Sequence, residues 1–108
     1  RDNLAIAYKS SERGGEEALF YPDWIGRFND GTIGIFDTKG GQTASSRDTK
    51  DKAEELQRRI RILNGYNRSF IRYRGGIVIK ENGQWYLNAS DVYDFRRGYI
   101  GNKWKRWE

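Results

Sequence analysis

The chain has no cysteine and no histidine. Without cysteine, disulfides and thiolate metal centres are excluded. Without histidine, Ser-His-Asp catalysis, zincin motifs and imidazole general bases are excluded too. Any metal here must be held by oxygen, which suits Mg²⁺, Mn²⁺ or Ca²⁺ rather than a typical zinc site. No run approaches the roughly 18 apolar residues of a membrane span, and no segment resembles a signal peptide. No membrane association and a cytoplasmic setting are therefore expected.

The chain has 108 residues, enough for one domain with one core and too few for two. It begins at Arg1 rather than Met, so it is expected to be a piece of a longer protein. Net charge is +5, and five Phe, four Trp and seven Tyr accompany it. Basic, aromatic-rich chains are compatible with a polyanionic partner such as nucleic acid.

Periodicity divides the chain coarsely. Leu4–Lys9 alternates loosely as a first strand, and the polar Ser10–Glu17 segment reads as a loop. Leu19–Phe28 and Thr32–Lys39 are strand-like runs joined by Asn29-Asp30-Gly31, a hairpin signal. Both are apolar on both faces, as central strands covered on each side are. From Asp48 to Asn64 the residues Ala53, Leu56, Ile60 and Leu63 form one helical stripe. Ser45 or Asp48 can cap it, Gly65 can end it, and Glu54–Arg58 and Glu55–Arg59 have ion-pair spacing. Ser69–Arg74 reads as a short strand or part of a connection. Gly76–Lys80 and Gln84–Asn88 flank Glu81-Asn82-Gly83 as a second hairpin. The basic, aromatic tail 96–108 has no clear periodicity.

Chemistry concentrates in the first hairpin. Strands this apolar rarely include acids without a reason, because an unpaired buried charge is expensive. On a strand Asp37 and Lys39 project to one face while Thr38 points away. A three-residue loop at 29–31 is expected; it pairs Phe28 with Thr32 and sets Asp23 opposite Asp37, on the same face as Ile25 and Ile35. A two-residue loop would set Asp23 opposite Thr38 and turn the two acids to different faces. Two carboxylates about 4 Å apart repel by roughly 4 kcal/mol at an effective dielectric of 20, and a divalent cation reverses that sign. A bare Asp-x-Lys at a strand end is also explained by ordinary solvated residues. Here, however, it stands in a longer order: Pro-Asp, hairpin, Asp-Thr-Lys, glycines, amphipathic helix.

That order, Pro22-Asp23 with Asp37-Thr38-Lys39 and the following helix, resembles the PD-(D/E)xK nuclease superfamily. The flanking text, Phe20-Tyr-Pro-Asp-Trp-Ile and Gly34-Ile-Phe-Asp-Thr-Lys-Gly40, is similar to the C-terminal nuclease domain of type III restriction endonuclease subunits and related helicase–nucleases. The likeness covers residues 19–64. It implies a restriction-endonuclease-like α/β fold, a mixed central sheet flanked by helices, and Mg²⁺-dependent DNA endonuclease activity with Mn²⁺ as a substitute. It further implies metal ligation by Asp23, Asp37 and the Thr38 carbonyl, with Lys39 catalytic. ATP-driven motor and recognition functions would belong to other domains or subunits. Two departures stand out: Asp37 replaces the usual Glu of the type III pattern, and Glu16 and Glu17 do not match the acid many members carry on a preceding helix.

Gly40, Gln42, Lys50, Lys52 and Gln57 are the candidate nucleic-acid contacts, and each also has an ordinary reading as turn, solvated face or helix boundary. The Trp and Tyr residues near the tail can stack on bases or pack in the core. The alternatives to an endonuclease are an exonuclease or repair nuclease with the same site, and a non-catalytic DNA-binding module.

Overall fold

Tyr21-Pro22-Asp23 interrupts what the sequence presents as one strand from Leu19 to Phe28. The computed structural model of the chain describes residues 5–40, 46–65, 71–81, 83–90, 92–93 and 104–107. In it β1 (Ile6–Ser10) and β2 (Glu16–Phe20) form an antiparallel hairpin around a 3₁₀ turn at Ser11–Arg13, with Ile6 opposite Phe20. The chain breaks at Pro22, whose missing N–H cannot extend a ladder, and restarts as β3 (Trp24–Arg27) in a different sheet. The polar segment expected to be a loop through Glu17 therefore already contains the start of β2.

The second sheet has five strands in the order β3, β4 (Ile33–Lys39), β5 (Tyr73–Glu81), β6 (Gln84–Asn88), β7 (Trp104–Arg106). β4 and β5 are parallel and the other neighbours antiparallel. A parallel pair needs a crossover, and helix α1 (Arg47–Asn64) supplies it. Only β4 of the first hairpin is central. β3 is an edge strand, with Trp24 45% and Ile25 39% exposed, which corrects the expectation of two covered strands.

The hairpin loop is the three-residue form. The Phe28 N–H donates to the Thr32 carbonyl at 2.8 Å and the Gly31 N–H to the Phe28 carbonyl at 2.9 Å. Gly31 closes the loop at φ +90°, a conformation that only glycine adopts readily. Trp24 then pairs with Phe36 and Ile25 with Ile35.

Odd-numbered residues of β4 and β5 face α1. Ile35 packs with Leu56, Ile60, Ile6, Tyr8 and Phe20. Ile77 and Ile79 pack with Ala53, Tyr93 and Trp104. Leu63, expected in the stripe, is only half-buried. Ser46, rather than Ser45 or Asp48, caps the helix by accepting the Thr49 N–H at 3.0 Å; Ser45 lies outside the described residues. Asp48 instead accepts the hydroxyls of Tyr8 and Ser10, both at 2.8 Å, and ties the helix start to β1. The ion pairs on the helix among the described residues are Asp48–Lys52, Lys50–Glu54 and Glu55–Arg58, in place of the expected Glu54–Arg58 and Glu55–Arg59. α1 is the one α-helix among the described residues, so the mixed α/β sheet is covered by a helix on one face there. No helix among them is long and apolar enough to cross a membrane.

Candidate active site

Asp23, Asp37, Thr38 and Lys39 meet at the end of the first hairpin. In the three-residue register Asp23 stands opposite Asp37, and the Asp23 N–H donates to Asp37 Oδ1 at 3.0 Å. Thr38 stands opposite Pro22. The Asp23 carboxylate fills the place of a ladder acceptor there: its Oδ2 accepts the Thr38 N–H at 3.0 Å and the Thr38 hydroxyl at 2.7 Å. Pro22 has no N–H to return, so the hairpin offers the Thr38 carbonyl no ladder donor. The expected role of Thr38 rests on its carbonyl alone; its side chain is an addition. The signal was present in Pro22, because a proline opposite Thr38 predicts a local substitute for the lost ladder.

Asp37 is 2% exposed. Its Oδ2 lies 2.8 Å from the Lys39 ammonium, and apart from that ion pair it has no hydrogen-bond partner among the described residues. Burial pushes the Asp37 carboxyl above its ordinary value, against the hydrogen bond and charge of Lys39, while the negative charge of Asp23 adds to the rise. The two acids differ in environment. Burial also pushes Asp23 upward, but the two Thr38 hydrogen bonds and the Lys39 charge together outweigh it, and its carboxyl sits below the ordinary value. One carboxylate is thus held ionised and the other is biased towards its protonated form, the pattern that acid–base sites and cation sites share.

The other sequence candidates are placed elsewhere or engaged otherwise. Gly40 follows β4 and is exposed, with open space where a Cβ would stand. Gln42 lies outside the described residues. Lys50 is exposed and paired with Glu54. Lys52 pairs with Asp48 at 3.2 Å and lies over the Tyr8 and Phe20 rings. Gln57, expected at the edge of the helix stripe, is buried, and its Nε2 donates to the Gly75 carbonyl at 2.9 Å. There the backbone runs so close to β4 that a Cβ on Gly75 would stand 1.8 Å from the Ile35 carbonyl oxygen. Among the described residues no group of three or more Asp or Glu gathers in metal-binding fashion, so a cation here would depend on two carboxylates and main-chain oxygen.

Comparison with protein families, with curated proteins and with solved structures finds no match to this chain.

Proposed function

We propose that the chain is a Mg²⁺-dependent DNA endonuclease domain, the cleavage module of a restriction or helicase–nuclease protein. The observation that carries the reading is Asp37, a buried carboxylate whose Oδ2 faces the Lys39 ammonium, joined across the hairpin to Asp23. The donor chemistry fits a hard cation: two carboxylates and a carbonyl that lacks a ladder partner are all oxygen ligands. Asp23, Asp37 and the Thr38 carbonyl would hold Mg²⁺ or Mn²⁺, which when bound polarises a phosphoryl oxygen and lowers the pKa of water.

The protein's own groups do the rest. Lys39 offsets the cost of burying the Asp37 charge and, in the presence of a phosphodiester, would offset negative charge on the phosphoryl oxygens. Thr38 fixes the Asp23 carboxylate through two hydrogen bonds, so that one acid is pre-oriented. The β4–α1–β5 connection, with the acids on the hairpin before the helix, supports the restriction-endonuclease-like reading of the mixed sheet. Motor and recognition functions would then reside in other domains or subunits.

One observation favours a competing, purely structural reading. Asp23 is satisfied by Thr38, and Asp37 by Lys39, without any ligand. A plasmid nicking assay separates the two. The nuclease reading expects relaxation of supercoiled DNA with Mg²⁺ or Mn²⁺, none with EDTA, and none from Asp37→Asn. Failure of the wild-type chain to cut DNA, together with unchanged melting on Mn²⁺ addition, would leave the structural reading standing. A linear substrate with blocked ends then distinguishes endonuclease from exonuclease.

A further inference from the structure

The face of the five-stranded sheet turned away from α1 has a composition of its own. Even-numbered residues of β3, β4 and β5 point to it, and the antiparallel registers bring Trp85, Leu87, Lys105 and Trp107 to the same side. Phe36 and Val78 form its floor at 2% and 1% exposure. Trp107 stacks on Phe36 with centroids 4.7 Å apart and planes 29° apart, so its ring plane is fixed from below. Trp85 is 42% and Trp24 45% exposed. Between Trp85 and Trp107 lies a shallow, mainly apolar cavity of about 370 Å³, floored by Val78 and bounded by Thr38.

The charged strand side chains on this face are all cations, and the Asp23 carboxylate stands at its rim, on the Thr38 hydroxyl. Lys80 lies over the Trp85 ring at 5.6 Å, Arg74 over the Phe28 ring at 4.3 Å, and Lys105 is exposed. Among the described strand residues that point to this side there is no Asp or Glu. Exposed rings interleaved with cations on one sheet face combine the two terms that bind unpaired nucleotides, ring stacking on bases and ionic contact with phosphates. A folded duplex would leave the rings unused, because its bases are already stacked.

We propose that this face binds single-stranded nucleic acid, with an unpaired base seated between Trp85 and Trp107 and the backbone phosphates held by Arg74, Lys80 and Lys105. The strand would pass Thr38, which bounds the cavity and holds Asp23. The face lies opposite Asp37 and Lys39, and binding there does not depend on cleavage.

Intrinsic tryptophan fluorescence of the full chain, titrated in EDTA, tests the proposal. The titrants are an oligothymidylate of about 12 nucleotides, within the span of known single-strand sites, a duplex of equal length, and inorganic polyphosphate. Saturable quenching by the single strand is expected, with the duplex at least about tenfold weaker. Trp85→Leu, which keeps apolar area without a ring plane, should weaken single-strand binding about tenfold, and Trp85→Phe should restore most of it. Lys80→Ala should weaken binding and flatten its salt dependence. Binding in EDTA does not draw on the proposed cleavage chemistry, so a failure of cleavage would leave this result untouched. An oligouridylate arm shows whether the sugar matters, and quenching by either strand supports the proposal. Absence of saturable quenching would overturn it. So would equal binding of duplex and polyphosphate with Trp85→Leu unchanged, since phosphate contact alone would then account for the affinity.

Discussion

The main-chain N–H of Asp23 donates to the side chain of Asp37 at 3.0 Å, so the two acids are joined backbone to carboxylate rather than facing each other as free charges. Their electrostatic fates diverge from that arrangement. Asp37 is displaced upward by burial, and Asp23 downward by Thr38 and Lys39 against its own desolvation.

The first prediction concerns Asp37. A carboxyl whose folded pKa is raised contributes stability that is fully present below its unfolded value of 3.8 and is lost as pH rises through the folded value. Above the folded value the ionised Asp37 therefore weakens the fold, and Asp37→Asn should raise Tm there by a few degrees, on the order of what 1 kcal/mol does in a domain of this size. The gain should shrink as the pH approaches 4. Mn²⁺ should raise the Tm of wild type and not that of the variant. Thermal melts from pH 4 to 8 decide this, and a variant that melts below wild type at pH 7 contradicts it.

Asp23 has the opposite sign. Its lowered carboxyl contributes stability that is present above the ordinary value of 3.8 and is lost as pH falls through the folded value. Thr38→Val keeps a β-branched residue and the main-chain bond but deletes the 2.7 Å hydroxyl bond. It should cost about 0.5–1.5 kcal/mol and move the Asp23 carboxyl upward. Carbon-detected NMR titration of Asp23 in wild type and Thr38→Val measures that movement directly.

Much of the candidate site was legible in the sequence, for a physical reason. Asn29-Asp30-Gly31 has a residue at position 31 able to reach φ +90°, and a loop of known length sets the register, which in turn determines which residues stand opposite. The helix was legible because its stripe has a period. What could not be read were relationships carried by single polar side chains across long sequence distances. Asp48 reaches Tyr8 and Ser10, forty and thirty-eight residues away, and no local pattern announces it. The split of Leu19–Phe28 into two sheets was signalled by Pro22, but the apolar run on either side outweighed it. The tail was unreadable because β7 has three residues, too few to show alternation.

Gln57 provides a test that separates packing from catalysis. Its amide satisfies the Gly75 carbonyl inside the helix–sheet interface. Gln57→Leu has similar bulk and leaves that carbonyl without its donor, which should cost about 1–3 kcal/mol and lower Tm correspondingly. Cleavage per folded molecule, measured well below the melting transition, should be unchanged. A loss of cleavage without loss of stability would move Gln57 into the active site.

Lys39 carries the last prediction. Its ammonium is the one cation at Asp37 Oδ2 among the described residues, and it both opposes the upward displacement of Asp37 and stands where phosphate charge would develop. Lys39→Ala should therefore have two separable effects. It should abolish detectable cleavage while keeping most DNA affinity, because many basic groups share the phosphate contacts. It should also push Asp37 further upward, so that the variant is less stable than wild type at pH 7 and recovers as the pH is lowered. Lys39→Arg should restore stability in part but not cleavage, since a guanidinium neither occupies the same space nor gives up a proton. In the Asp37→Asn background the stability effect of Lys39→Ala should largely vanish, because the charge it balanced is gone. Stability cycles at pH 5 and 7, run beside nicking assays with Mg²⁺, test both halves. Lys39→Ala protein that cuts plasmid as fast as wild type would remove Lys39 from the catalytic role and leave it only its electrostatic one.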